Sequence, residues 1–307
     1  MTFPTGELGT VHTALLALDA GGVPHVLFTT GRAVHYAACG GGDCASSSSW
    51  RVATVYEHDG DWEVTGDAFA IDPRGGPTFL MHAYQAFMGL FGPPPGTRIF
   101  ACATDCLNAA AWRSSQVSEQ SWLEASLRFD ASGVMHVAAV VPVGSDELVG
   151  YFRCDGGCLE GDTDDWPGVG VAYAFSDRYV EAVYPAVSLA LDAQGRPSLA
   201  YTAQGNIFVA HCSTDCAGAR GDDDWDLAVG ELSGEIPTDT VFLEHNCTVG
   251  AWFLRQPALA IGADGLPVLA YRAEDISGGV TRPDITRPGC VAGVEMSLTR
   301  FNRLASY

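Results

Sequence analysis

Five copies of one turn motif, the same succession of short apolar strands around each copy, and no stretch patterned for a helix predict an all-β chain. The fold class that follows is a five-bladed β-propeller of four-stranded antiparallel blades, with residues 1–307 forming a single domain. The copies read LLALDAGGVPHVLFTT from Leu15, AFAIDPRGGPTFLMHA from Ala68, SLRFDASGVMHVAAVV from Ser126, SLALDAQGRPSLAYTA from Ser188 and ALAIGADGLPVLAYRA from Ala258. Their anchors, Asp19, Asp72, Asp130, Asp192 and Gly262, are spaced by 53, 58, 62 and 70 residues. That spacing places the blades at roughly 11–60, 61–118, 119–180, 181–235 and 236–307, the last joined by residues 1–10.

Each copy follows one physical logic. An apolar run enters the anchor as the first strand, and the anchor Asp is expected to accept backbone N–H groups two or three residues on. Gly, three residues after the anchor, supplies the positive φ that closes the turn. In four copies Pro then begins the second strand, where its missing N–H costs least. RAVHYAAC, TRIFACATDC, ELVGYFRC, NIFVAHC and GVEMSLTRF supply the third strands, and Trp50, Trp112, Trp166 and Trp225 head the fourth. The fifth copy ends after its third strand. The segment before Val11 is expected to provide the missing outer strand, closing the ring by pairing with the last blade and covering an exposed sheet edge.

The pattern D-x-x-G-x-P, followed by an apolar strand ending in Tyr or Thr, resembles the sialidase-like propeller repeats of bacterial secreted proteins. The resemblance spans nearly the whole chain and is architectural. The sialidase Asp box, S-x-D-x-G-x-x-W, is not matched, because no copy puts Trp three residues after its Gly. A propeller hosts lectins, glycosidases, lyases and scaffolds alike, so the site must decide function.

Cys39 with Cys44, Cys102 with Cys106, Cys154 with Cys158 and Cys212 with Cys216 each follow the third strand of one copy, which predicts a disulfide local to each blade. A zinc site would need four ligands gathered together, and pairs on separate blades lack partners. Cys247 and Cys290 fall in two long loops of the fifth copy, and a bond between them would tie those loops together. An even set of ten cysteines belongs to an oxidising compartment, whereas MTFPTGELGT lacks the basic and apolar regions of a leader. A secreted or periplasmic protein is therefore expected, with its signal peptide absent from this sequence.

The net charge of −21 excludes a general nucleic-acid binder, which needs a basic footprint. All 16 basic residues are Arg, so Schiff-base and amine-nucleophile chemistry has no lysine to use. No run of about 18 apolar residues spans a membrane, and a monomer is expected.

In this strand order the D-x-x-G turns and cysteine loops share one face, while the inter-blade connections and the loops from second to third strand share the other. Loops 81–97, 172–185, 238–257 and 271–290 on the latter face are long and unlike one another, which points to one central funnel site. The loop TAQGN at 202–206 is short and reads as carrying no chemistry. Residues leading into first strands and leaving second strands supply the candidates. Glu124 and Asp67 fit the carboxylate pair of a glycosidase. His82 and Tyr184 fit the proton-moving groups of a lyase, with Arg255 and Arg272 neutralising a substrate carboxylate. Gln256, Tyr84, His12 and His245 complete the substrate-binding set. His12, His82 and His245 also fit an open divalent-metal site at the funnel mouth. The acidic runs EGDTDDW and RGDDDWD offer clustered oxygens for structural calcium without the spacing of a calcium loop. The expected function is acid/base chemistry, glycosidase- or lyase-like, on a saccharide or small polar organic substrate. The alternative is a carbohydrate-binding or recognition propeller without turnover.

Overall fold

The computed structural model describes residues 8–40, 42–58, 62–84, 96–144, 146–160, 166–174, 186–218, 224–235, 247–248, 252–275, 282–283 and 297–303. Its contacts divide the chain into two compact units, residues 1–142 with 151–168 and residues 143–150 with 169–307. Among the described residues the regular structure is strand, interrupted by short 3-10 turns such as Ser47–Ser49, Ala109–Ala111 and Ser233–Glu235.

Each of the first four copies forms one antiparallel sheet in chain order. The first is β1 (Thr13–Leu18), β2 (Pro24–Thr30), β3 (Ala33–Cys39) and β4 (Trp50–Glu57). The second is β5 (Glu63–Ile71), β6 (Pro77–Tyr84), β7 (Thr97–Ala101) and β8 (Arg113–Ser118). The third is β9 (Glu124–Phe129), β10 (Met135–Val143), β11 (Asp146–Cys154) and β12 (Gly168–Tyr173), and the fourth is β13 (Val187–Leu191), β14 (Pro197–Ala203), β15 (Asn206–Cys212) and β16 (Trp225–Glu231). A two-residue ladder joins β17 (Cys247–Thr248) to β20 (Arg282–Pro283). The fifth copy is a three-stranded sheet of β18 (Trp252–Ile261), β19 (Pro267–Asp275) and β21 (Ser297–Arg303). Of residues 1–10, expected to add its outer strand, 1–7 lie outside the described residues and 8–10 are not in a strand.

The turn after each first strand is built identically. Asp19, Asp72, Asp130 and Asp192 each use Oδ1 to accept the backbone N–H groups two and four residues on, at 2.7–2.9 Å. The second acceptance reaches one residue further than expected, because the backbone N–H three residues on, that of the Gly, is already bonded to the anchor's own carbonyl. That Gly takes φ between 76° and 90° in all five copies, a region that an L side chain enters only with strain. In the fifth copy Gly262 stands at the anchor, the backbone bonds are kept, and Asp264 Oδ1 substitutes by accepting from Leu266 N at 3.3 Å.

Second strands lie inside their sheets and are covered on both faces, so they carry many of the largest fully buried side chains, among them Phe28, Phe79, Leu80 and Leu199. In the first unit one core joins the first and second sheets through Leu27, Val64, Phe79 and Phe100. Another joins the second and third through Leu80, Ile99, Leu127 and Val137. In the second unit Leu259, Leu269, Tyr271 and Val209 join the fourth and fifth sheets.

The four predicted blade-local disulfides are formed, with Cα–Cα separations of 5.7–5.9 Å. Each closes a loop of four or five residues in sequence separation, worth on the order of 2 kcal/mol by chain entropy. The Trp at the head of strand four serves the same loop: the indole N–H of Trp50, Trp112 and Trp225 donates to the carbonyl of Cys44, Cys106 and Cys216. The proposed Cys247–Cys290 bond falls outside the described residues, although the β17–β20 ladder brings the backbones of its two loops together.

Candidate functional site

Asp67, His82 and Glu124, drawn from three different strands, are brought together in the first unit. Asp67 sits at a β-bulge: Gly66 pairs with Met81 and Ala68 with Leu80, which leaves Asp67 without an opposite number. A bulge re-aims the side chain it carries. Gly66 beside it lets the first sheet approach closely, since a Cβ there would come within 3.2 Å of Leu27 Cδ2 on β2 and 3.8 Å of Thr13 Oγ1 on β1. His82, on the next strand, points Nδ1 at Asp67 Oδ2 at 2.8 Å, and the two side chains are only 12% and 4% exposed. Beside an ionised Asp67 the Nδ1 proton is the one donated, which directs Nε2 away from the carboxylate. Glu124 opens β9, opposite Val140, and β9 packs against β5 and β6. It is exposed to solvent at the start of its strand, within electrostatic reach of Asp67 and His82.

The three groups shift one another. Burial raises Asp67 to about 6, partly offset by its bond to His82. Burial works against a charge on His82, but the hydrogen bond and charge of Asp67, joined by the charge of Glu124, raise it above its ordinary value. Glu124 is pushed up to about 7, first by desolvation and then by the charge of Asp67, with His82 opposing. All three therefore bind their protons more tightly in the folded protein than in the unfolded chain. The linkage is stabilising at acid pH and is lost as pH rises, from 3.8 through about 6 for Asp67 and from 4.5 through about 7 for Glu124. Glu124→Gln removes one of these titrations. Its melting temperature relative to wild type is expected to be higher at about pH 8 than at about pH 5. A difference that stays constant across that range would exclude the shift at Glu124.

The other candidates are placed differently. His12 stands 3.6 Å from Glu63 Oε2 rather than joining His82. Tyr84 ends β6 opposite Glu63, and its side chain lies outside the described residues, as do Tyr184 and His245 altogether. Among the described residues no group of three His, Cys, Asp or Glu is disposed to hold a metal ion, while His245 and most of both acidic runs fall outside them.

In the second unit Arg255 and Arg272 face each other across β18 and β19. Both guanidiniums reach Glu274, at 3.0 and 2.7 Å, so the trio carries one net positive charge rather than two. Gln256 is exposed beside them, at a bulge where its φ is +49°. Glu274 escaped the sequence reading, though it lies two residues after Arg272 and so on the same face of the strand. His25 and His136, each six residues after an anchor Asp at the D-x-x-G turns, bond Tyr36 and Tyr151 at 2.6 Å and lie 3.6 Å from Asp19 and Asp130. The His and Tyr side chains are buried and tie turn to third strand.

The chain is similar in structure to an α-L-arabinofuranosidase from Lactobacillus brevis, with a TM-score of 0.53 and 9% identity over 94% of this chain and 89% of that one. It is similar to a polysaccharide lyase, an ulvan lyase, with a TM-score of 0.54 and 12% identity over 94% and 68%. A Hadza microbial sialidase gives 0.53 and 12% over 89% of this chain and 57% of its own length. The chain has a β-propeller fold. Its five repeated sheets are the blades. No protein-family model matches the chain, and no curated protein matches it in sequence. At such low identity the propeller likeness carries architecture alone.

Proposed function

We propose that this propeller is a secreted enzyme that cleaves saccharides by acid/base chemistry at the Asp67–His82–Glu124 cluster. The observation that supports it is the buried Asp67–His82 hydrogen bond beside a carboxyl held near neutrality. A structural role for such a cluster would be better served by apolar side chains, since burying charged groups together costs free energy.

The roles follow from protonation. Asp67, nearly sealed from solvent, is a positioning residue: it fixes the tautomer of His82 and sustains its charge. This replaces the direct acid or nucleophile role that the sequence suggested for it. His82, whose proton the charges of Asp67 and Glu124 hold more tightly than an ordinary imidazole's, is the general acid that gives its Nε2 proton to the departing glycosidic oxygen. Glu124, poised near neutral pH, is the base. It takes the proton of an attacking water in hydrolysis, or a substrate C–H proton beside a carboxylate in elimination. The propeller enzymes that resemble this chain include one of each kind, named as an arabinofuranosidase and an ulvan lyase. Four disulfides suit the protein to an oxidising, extracellular setting. Among the described residues no helix is long and apolar enough to cross a membrane.

The test is a panel of neutral and uronic-acid-containing oligosaccharides offered to wild type and to Glu124→Gln. Wild type is expected to cleave at least one member. Glu124→Gln should lower turnover by about 10²–10⁴-fold with affinity nearly kept. An ultraviolet-absorbing unsaturated product marks elimination and its absence marks hydrolysis. Binding without cleavage by wild type would instead make this a recognition propeller, and unchanged turnover in Glu124→Gln would remove that residue from the reaction.

A further inference from the structure

The second unit holds a cavity that the acid/base cluster does not use. Its volume is about 420 Å³, within the range of small-molecule pockets. It lies beside the Gln204–Gly205 turn that joins β14 to β15, the loop whose brevity suggested no chemistry. Tyr201 and Phe208 face each other across those strands and stack with centroids 5.8 Å apart and planes 24° from parallel. Tyr173, Leu227 and Val229 complete the wall, and each is more than half exposed. Three of the seven large apolar side chains that the described surface exposes are thus gathered at one cavity. Clustered apolar exposure of this kind marks a binding surface, whereas scattered single residues do not.

Tyr201 adds an independent observation. Four described tyrosines are buried, and three have a bonded hydroxyl: Tyr36 to His25, Tyr151 to His136 and Tyr271 to Glu231. Tyr201, only 4% exposed as a residue, makes no such bond to a described residue, and its hydroxyl is not among the sealed polar atoms that lack a partner, so it stays open to the cavity it lines. A phenol that opens into an otherwise apolar cavity is placed to exchange one hydrogen bond with a molecule lying there.

We propose that this cavity binds a small neutral aromatic molecule of one or two fused rings, lying against Tyr201 and Phe208 and exchanging one hydrogen bond with Tyr201 Oη. The lining decides the class. A saccharide brings a hydroxyl on nearly every carbon, and this wall offers few polar partners for them. An anion meets a chain of net charge −21. A flat apolar ring with one hydroxyl or carbonyl matches both the stacked rings and the one tyrosine hydroxyl open to the cavity. This site stands apart from the saccharide reading and does not depend on it.

The probe is 2-naphthol, titrated calorimetrically into the full chain. Wild type is expected to bind one equivalent saturably. Tyr201→Phe, which keeps the ring and removes the hydroxyl, should weaken binding about five- to tenfold. Leu227→Glu, at an exposed position where folding is little affected, should abolish it. Methyl glucoside at the same concentrations should give no heat and no competition. The proposal is overturned by lack of saturable binding to wild type up to about millimolar probe. It is equally overturned by unchanged affinity in both variants, or by methyl glucoside displacing the probe.

Discussion

His82→Ala is expected to lower saccharide turnover by about 10²–10⁴-fold while substrate affinity changes far less. The imidazole sits at the junction of the cluster: its Nδ1 meets Asp67 at 2.8 Å, and Glu124 adds negative charge. Removing it deletes the acid and leaves the buried Asp67 carboxylate without its partner. Added imidazole should restore part of the rate, because a diffusible acid of the same chemistry can enter the space left behind. Asp67→Asn separates positioning from proton transfer. It keeps the ring but removes the charge that raises His82, so the imidazole pKa should fall and the limb of the pH–rate profile set by its protonation should move to lower pH. Circular dichroism and melting of both variants check that the fold persists. Wild-type turnover in His82→Ala, with the fold intact, would move the chemistry elsewhere.

Phe79→Ala is expected to cost about 3–5 kcal/mol of stability, read by urea denaturation. Phe79 is fully buried in the core shared by the first and second sheets. It stacks on Phe100 at 4.8 Å with planes 3° apart, and Trp112 lies 5.3 Å away on another side. Truncation loses both the transferred apolar area and the contacts around the cavity that remains, since the framing strands are held by their ladders and collapse little. Phe79→Leu, which refills much of the volume, should recover a large share of the loss. The chain divides into two units, so the first unit's transition is the one to read. A loss below about 1 kcal/mol would show that the site collapses freely.

Much of the architecture was legible because its chemistry is local. An Asp that caps its own turn, a Gly three residues later and a Pro opening the next strand act within six residues, so the repeat can be read without knowing what packs on it. The cysteine pairs are legible for the same reason. The site was legible only as residue types at strand ends. The sequence proposed Asp67 as an acid, base or nucleophile, but its bulge depends on the register between β5 and β6, which single-strand patterning does not contain. Arg255 and Arg272 were read as free cations for a substrate, and Glu274 between them changes that charge.

By itself, then, the sequence determined the repeat, the turns and the blade-local disulfides, since each depends on neighbours along the chain, and its composition alone gave a net acidic chain without lysine. Tertiary structure alone decided that His82 meets Asp67 across a bulge and that the plain fourth copy borders an apolar cavity. Both depend on side chains from different strands reaching one another, and that is fixed by register and packing rather than by any local preference.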